Sequence, residues 1–215
     1  MQVEIWSDIA CPWCYIGKRR FELALVRFER RDEVDVVWRS FELDPGAPPE
    51  PEGDLAEALA RKYGSTVEQV RERWTSMAAL AAEDGLELNF ERVRRGNTFD
   101  AHRVTHLAAA HGLGDRMVER LLRAHHTDGR LVSDRGVLQE LAVEVGLPAG
   151  EVGETLASDR YADDVRADER TAASLGISAV PFFVVDRAMG ASGAHPPEIL
   201  LQLLERAVEH SSISR

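Results

Sequence analysis

The sequence predicts an α/β protein whose small sheet is interrupted, after its second strand, by an all-helical block. Three observations carry that prediction. Short β-rich stretches lie near the two ends of the chain, at residues 3–7, 34–41 and 177–186, with the alternating or apolar patterns that suit strands. From residue 54 onwards, about a hundred residues carry helical periodicity instead. The two cysteines of the chain, Cys11 and Cys14, fall where the first strand gives way to an amphipathic stretch.

Each element follows from local chemistry. Val3-Glu4-Ile5-Trp6-Ser7 is apolar and partly alternating, as a buried first strand requires. Pro12 suits a first helical position, and the helix to about Arg30 carries Phe21, Leu25 and Phe28 on one stripe, with Lys18, Arg19, Glu22 and Glu29 elsewhere. Val34 to Phe41 is β-rich, so the opening reads strand, helix, strand, with a parallel pair joined by a crossover. The proline-rich run Asp44 to Gly53 breaks regular structure and marks a domain junction.

Beyond it, Ser65-Thr66-Val67-Glu68 has a capping-box pattern, heading a helix through Trp74, Met77, Leu80 and Ala81 to near Gly85. Further helices are expected at Asp100 to His111, Asp115 to His126 and Asp134 to Val145, with Gly112, Gly114, Gly129 and Gly146 at their ends. Their short connections imply a compact antiparallel bundle. Another helix spans Asp159 to Leu175, before Gly176. Ile177 to Asp186 is strand-like yet contains Pro181, which cannot donate to a ladder and needs an edge, a bulge or a cis bond. Met189 to Gly193 returns as a hairpin strand, and Pro196-Pro197 precede a closing helix through Ile199, Leu200, Leu203, Leu204 and Val208. The tail, residues 211–215, is expected to be disordered.

Composition narrows the function. A chain of 215 residues with 44% hydrophobic and 29% charged residues has the make-up of a globular protein with a substantial core. Its net charge of −11 repels nucleic acid and anionic membranes at long range, so neither is expected as a partner. Neither a signal-peptide pattern nor a stretch of transmembrane length is visible, which makes a cytoplasmic setting the expectation. In that setting a Cys-x-x-Cys pair is more often catalytic than structural.

The dithiol at a helix start is itself chemical. The first helical turn offers unpaired N–H groups and the positive end of the macrodipole, both favouring a thiolate at Cys11. A helix terminus is worth about 0.3–1 kcal/mol and a pKa unit about 1.4 kcal/mol, so the dipole alone moves a thiol by less than about one unit. The remainder is expected from hydrogen bonds of the Cys14 N–H and thiol. Cys11 is then the attacking thiol, and Cys14 the resolving one that closes the disulfide and releases a mixed-disulfide partner. Zinc is not expected: the pair supplies half a ligand set, and the nearest histidine, His102, is far outside finger spacing.

Taken together, Asp8 to Lys18, Trp38-Arg39-Ser40-Phe41-Glu42-Leu43, Asn97 to Arg103, Val180-Pro181-Phe182-Phe183-Val184 and Ser192-Gly193-Ala194-His195 are similar to motifs of the DsbA-type thioredoxin-fold oxidoreductases. More narrowly, the chain resembles the FrnE-like branch, related to 2-hydroxychromene-2-carboxylate isomerase and kappa-class glutathione transferase. The resemblance implies a thioredoxin-like domain made of residues 1–46 and 157–215, with an inserted helical domain at 47–156. It implies Cys11 as nucleophile, Cys14 as resolving cysteine and Pro181 as a cis-proline facing them, with the Val180 backbone pairing to an extended substrate. The implied activity is thiol-disulfide exchange on protein or small-molecule thiols and disulfides, with no tightly bound cofactor and glutathione as a redox partner. The relatives with a serine in place of Cys11 suggest the alternative of a glutathione-assisted isomerase or accessory enzyme of aromatic polyketide metabolism; here both thiols are present. A homodimer is expected without any sequence signal for it.

Other residues carry weaker signals. Pro12 and Trp13 lie between the thiols, where Trp13 is expected to be an exposed recognition surface. By the resemblance, Asn97, Thr98 and His102 face the cleft above the dithiol; the competing reading is helix capping followed by a surface histidine. His125-His126 is read as solvated, because adjacent helical residues do not face one way. Arg92-Val93-Arg94-Arg95 reads as a charged helix end or loop that could draw in anionic substrates, and Gly193 as conformational.

Overall fold

The computed structural model describes residues 1–213. Strand β1 (Gln2–Ser7) leads into helix α1 (Pro12–Arg27), and β2 (Asp35–Ser40) follows. Six helices come next: α2 (Leu55–Tyr63), α3 (Val67–Glu83), α4 (Phe99–Ala110), α5 (Gly114–His126), α6 (Arg135–Val145) and α7 (Ala149–Ala157). The chain then returns through α8 (Ala162–Ser174), the hairpin β3 (Phe182–Val185) and β4 (Met189–Ser192), and α9 (Pro197–Ile213). The four strands have the order β2-β1-β3-β4. β1 runs parallel to β2, pairing Ile5 with Trp38, and antiparallel to β3, pairing Ile5 with Phe183. This is the thioredoxin-like arrangement that the strand-helix-strand opening and the late hairpin predict.

The strand period of two sorts β1 between two layers. Val3 and Ile5 enter a core with Phe21 and Phe28 of α1, Phe183 and Val185 of β3, and Leu200 and Leu204 of α9. Phe21 stacks on Phe183 at 5.6 Å. Trp6 points the other way, into a core with Ala172 of α8 and Val184. Burying one such aromatic is worth about 1.5–3 kcal/mol, so α1, α8 and α9 are held by the sheet rather than by their own propensity.

The helices between β2 and α8 have their own core, built from α4, α5, α6 and α7. One residue from outside joins it: Ile9, 4% exposed, from the loop between β1 and α1. A third cluster packs Tyr15 and Ile16 of α1 against Ala81, Leu86, Val118 and Leu122. The N-terminal end of α1 is therefore seated on the helical block.

Several local expectations change. The capping box belongs to Thr66 and Gln69, one residue later than Ser65 and Glu68, because the Thr66 hydroxyl accepts from Gln69 N–H at 3.2 Å. α1 ends at Arg27 rather than Arg30, and the stretch before α8 forms a separate helix, α7. Gly114 begins α5, while Gly112, Gly129 and Gly146 adopt the positive φ expected of helix ends. Of the tail expected to be disordered, 211–213 belong to α9, and 214–215 lie outside the described residues.

Candidate active site

Cys11 is the N-cap of α1 with extended backbone (φ −94°, ψ 113°), and Pro12 takes the first helical position. A proline there costs nothing, since its missing N–H would be an orphan in any case. Cys14 N–H donates to Cys11 O at 3.0 Å, closing the first turn. Both cysteines are free thiols and both are buried, Cys11 at 5% and Cys14 at 1% exposure. Trp13 between them is 40% exposed, as the sequence predicts.

The Val180–Pro181 peptide bond is cis. It brings the Val180 carbonyl to the dithiol, where it accepts a bond from the Cys11 thiol at 3.7 Å. Gly17, one turn into α1, makes room for this approach. A Cβ at that position would lie 2.7 Å from Pro181 Cγ, closer than real Cβ atoms come to a neighbour.

The two thiols are held in opposite states. Cys11 is kept below the ordinary thiol range, chiefly by a hydrogen bond from the Cys14 thiol; burial opposes this, the Cys14 and Trp13 N–H groups assist it, and the Asp8 charge opposes it. Cys14 is pushed well above that range by burial and by its bond and charge interaction with Cys11. The Ser7 hydroxyl and the Asp8 N–H, 3.5 Å from Cys14 Sγ, only partly offset this. The two thiols are thus distinguished by position alone.

Asp8, 2% exposed, organises the loop that carries Cys11. Its Oδ1 accepts from Ala10 N–H at 3.2 Å and its Oδ2 from Leu43 N–H at 2.8 Å. Burial works to raise the Asp8 pKa, yet bonds and charge from His102, the Leu43 N–H and Thr98 hold it below the usual carboxylate range. His102 Nε2 lies 3.4 Å from Asp8 Oδ1. Thr98 and His102 are 4% and 3% exposed, so His102 is neither a surface group nor an open cleft wall. Asn97 caps locally: its Oδ1 accepts from Phe99 N–H at 2.8 Å, and its Nδ2 sits 3.4 Å from Glu42 Oε1.

His125 and His126 correct the expectation of a solvated pair. They are 3% and 2% exposed and meet edge to face at 4.7 Å. His126 Nε2 lies 2.9 Å from the Ile9 carbonyl, and its ring stacks on Tyr15 at 6.2 Å. Burial lowers both pKa values, that of His125 to about 4. The signal that could have revealed them is their spacing of four from the buried Leu121 and Leu122. Ser7, the last residue of β1, and Asp8, the first of the loop to the dithiol, carry no comparable signal in the sequence.

Away from the thiols, Lys18 lies off the apolar stripe yet is only 1% exposed, paired with Glu22, with Asp115 at 3.4 Å and with Glu119 at 3.1 Å. These pairs tie α1 to α5. The arginine run latches the proline-rich loop: Arg94 pairs with Glu50 at 2.5 Å, and Arg95 donates to Glu52 O at 2.8 Å. Gly193 has φ 100°, a conformation that leaves little choice of residue. Among the described residues no group of three or more His, Cys, Asp or Glu is placed to hold a metal, and no helix is long and apolar enough to cross a membrane.

A dithiol at the mouth of a helix, faced by a cis-proline at the entry to the central hairpin, defines a thiol oxidoreductase of the DsbA type. The model of the DSBA-like thioredoxin domain matches residues 2–205, and the chain belongs to that family. A probable DsbA oxidoreductase from Streptomyces coelicolor is 49% identical, with a TM-score of 0.93 over 97% of this chain and 90% of that one. The uncharacterized protein YwbO of Bacillus subtilis is 29% identical over 90% of this chain and 92% of its own. The cytosolic disulfide reductase DsbM from Pseudomonas aeruginosa, solved with GSH, shares the fold at 21% identity and TM-score 0.66, over 97% of this chain and 100% of that one.

Proposed function

We propose that the protein is a thiol-disulfide oxidoreductase working through a mixed disulfide at Cys11. The observation that supports it best is the asymmetry of the pair: Cys11 lowered and Cys14 raised, on one turn of helix. In this reading the Cys11 thiolate attacks a substrate disulfide, one substrate thiol leaves, and the mixed disulfide forms. Cys14 then attacks Cys11 and releases the second substrate thiol, leaving the Cys11–Cys14 disulfide. The reverse sequence passes a disulfide to a dithiol substrate.

Pro12 and Trp13 form the floor on which the substrate lies, and the backbone at Val180–Pro181 pairs with its extended segment. Thr98 and His102 stand behind the thiols, seated on Asp8. Glutathione, present in the solved DsbM, is the thiol we assign as redox partner, in a cytoplasmic setting whose reducing pool returns the pair to the dithiol. Residues 47–156 are read as the inserted domain that supports this site.

The test is the reduction potential of the pair in glutathione buffers, with the pH dependence of Cys11 alkylation. A dithiol that cycles between its two states in these buffers, with Cys11 alkylated below the ordinary thiol range and all exchange lost in Cys11→Ser, is the expected result. A fully active Cys11→Ser protein, or tight glutathione binding without dithiol turnover, would replace this reading with the glutathione-assisted isomerase.

A further inference from the structure

Closing the disulfide requires Cys14 to give up a proton at the moment Cys11 is tied into the mixed disulfide and can no longer receive it. The groups that bear most on the Cys14 sulfur are the Asp8 N–H, the Ser7 hydroxyl and Cys11 itself, none of them a base. A hydroxyl, however, can take a proton on one side and pass one on from the other.

Ser7 also lines a small pocket between β2 and helices α4 and α5. Its polar lining is Ser7, Arg39, Ser40, His102 and Thr105, and its volume of about 10 Å³ is what one water occupies. His102 is 3% exposed, and its Nε2 has no hydrogen-bond partner. The polar group beside that nitrogen is the Asp8 carboxylate, whose Oδ1 lies 3.4 Å away as an ion-pair contact. A buried imidazole nitrogen backed by the Asp8 carboxylate, in a polar pocket shared with Ser7, is placed to receive a proton. The carboxylate of Asp8 beside it stabilises the imidazolium that results.

We propose that His102 is the proton acceptor for Cys14, reached through the Ser7 hydroxyl and one water held in this cavity. The inference rests on the dithiol reading above. The Cys14 proton passes to Ser7, Ser7 gives its own to the water, and the water gives one to His102 Nε2. The Cys14 thiolate forms its bond to Cys11 as the bond between Cys11 and the substrate sulfur breaks, with the electron pair leaving on the substrate thiolate. The His102 proton returns by the same path when the disulfide is reopened, or leaves to solvent between turnovers.

The charges that face His102 are few. Asp8 comes from the loop after β1, Glu42 from the segment after β2, and Arg39 from β2 across the cavity. His106 stands one turn further along α4, 3.1 Å from Ser40 Oγ, and His125 of α5 acts on Asp8 from behind. Val118 and Leu122 of α5 present apolar surface to the cavity.

The experiment uses the full chain with Cys11 carried as a mixed disulfide with 2-nitro-5-thiobenzoate, whose release by Cys14 is followed by absorbance across pH 5.5–9.5. In His102→Gln, release at neutral pH should slow by about a hundredfold, the usual worth of a positioned acid–base group, and recover steeply as hydroxide takes over. Cys11 alkylation should keep its acidic profile. Ser7→Ala should slow release in the same sense, and carries the test if His102→Gln does not fold. Unchanged release in either folded variant overturns the relay while leaving the oxidoreductase standing, as does a uniform slowing at every pH accompanied by an altered Cys11 profile. A wild-type protein that forms no mixed disulfide, or never resolves it, overturns the dithiol reading itself.

Discussion

His125 should make the protein sensitive to mild acid. Its ring is 3% exposed and its pKa is lowered to about 4 by burial, against the opposing pull of Asp8. In the unfolded chain the same group titrates near its ordinary value of about 6.5. As pH falls, the unfolded state therefore takes up the proton first. The stability linked to His125 is complete above about pH 6.5 and is lost between there and about pH 4. The gap of about 2.5 units, at about 1.4 kcal/mol each, corresponds to about 3 kcal/mol in all. His126, lowered still further by burial, adds a loss of the same sign. Urea unfolding of the wild type and of His125→Leu at pH 7.5 and 4.5 measures this. The wild type should lose about 2.5 kcal/mol more than the variant over that interval. Glu42, whose pKa burial raises, titrates in both proteins and cancels in the difference. Parallel losses in the two proteins would refute the reasoning, since the histidine would then be protonated in the folded state at no cost.

Two further perturbations address the dithiol. Asp8→Asn keeps an acceptor oxygen for the loop but removes a charge that raises the Cys11 pKa, so Cys11 alkylation should begin at lower pH; an unmoved profile would show that the charge does not reach the thiol. Gly17→Ala places a methyl 2.7 Å from the Pro181 ring, which should cost about 1–3 kcal/mol in urea unfolding and slow thiol exchange; wild-type values for both would show that α1 and the proline loop part without strain.

The sheet was readable because its signals are local. Strand period, the Pro12 start and the proline-rich break each act within a few residues, and β1, α1 and β2 follow from them. α7 leaves little trace in the sequence because it spans nine residues and contains Gly150 and Gly153, which dilute any periodicity. The capping box was displaced by one residue because Ser65 and Thr66 both offer a hydroxyl three positions before a partner, and only geometry chooses between them. Lys18 and the His125-His126 pair failed for a different reason. Polar side chains are read as solvated by default, while here three carboxylates and a carbonyl, contributed from distant parts of the chain, make burial tolerable. The thiols and Pro181 were legible as types, but the Asp8–Thr98–His102 support behind them joins segments about ninety residues apart, and no local pattern announces it.

The seating of Ile9 in the helical core bears on how this architecture could be trimmed or recombined. The residue two positions before Cys11 is buried not by the sheet but among α4, α5, α6 and α7. Asp8 beside it leans on α4 through Thr98 and His102, and the Ile9 carbonyl on His126 at the end of α5. The helices therefore serve as the anvil against which the reactive loop is shaped. A shortened protein joining β2 straight to α8 would keep every strand and both cysteines, yet lose the surface that gives the loop its form. Exchange of the helical segment between relatives would in the same way reshape the loop that carries Cys11.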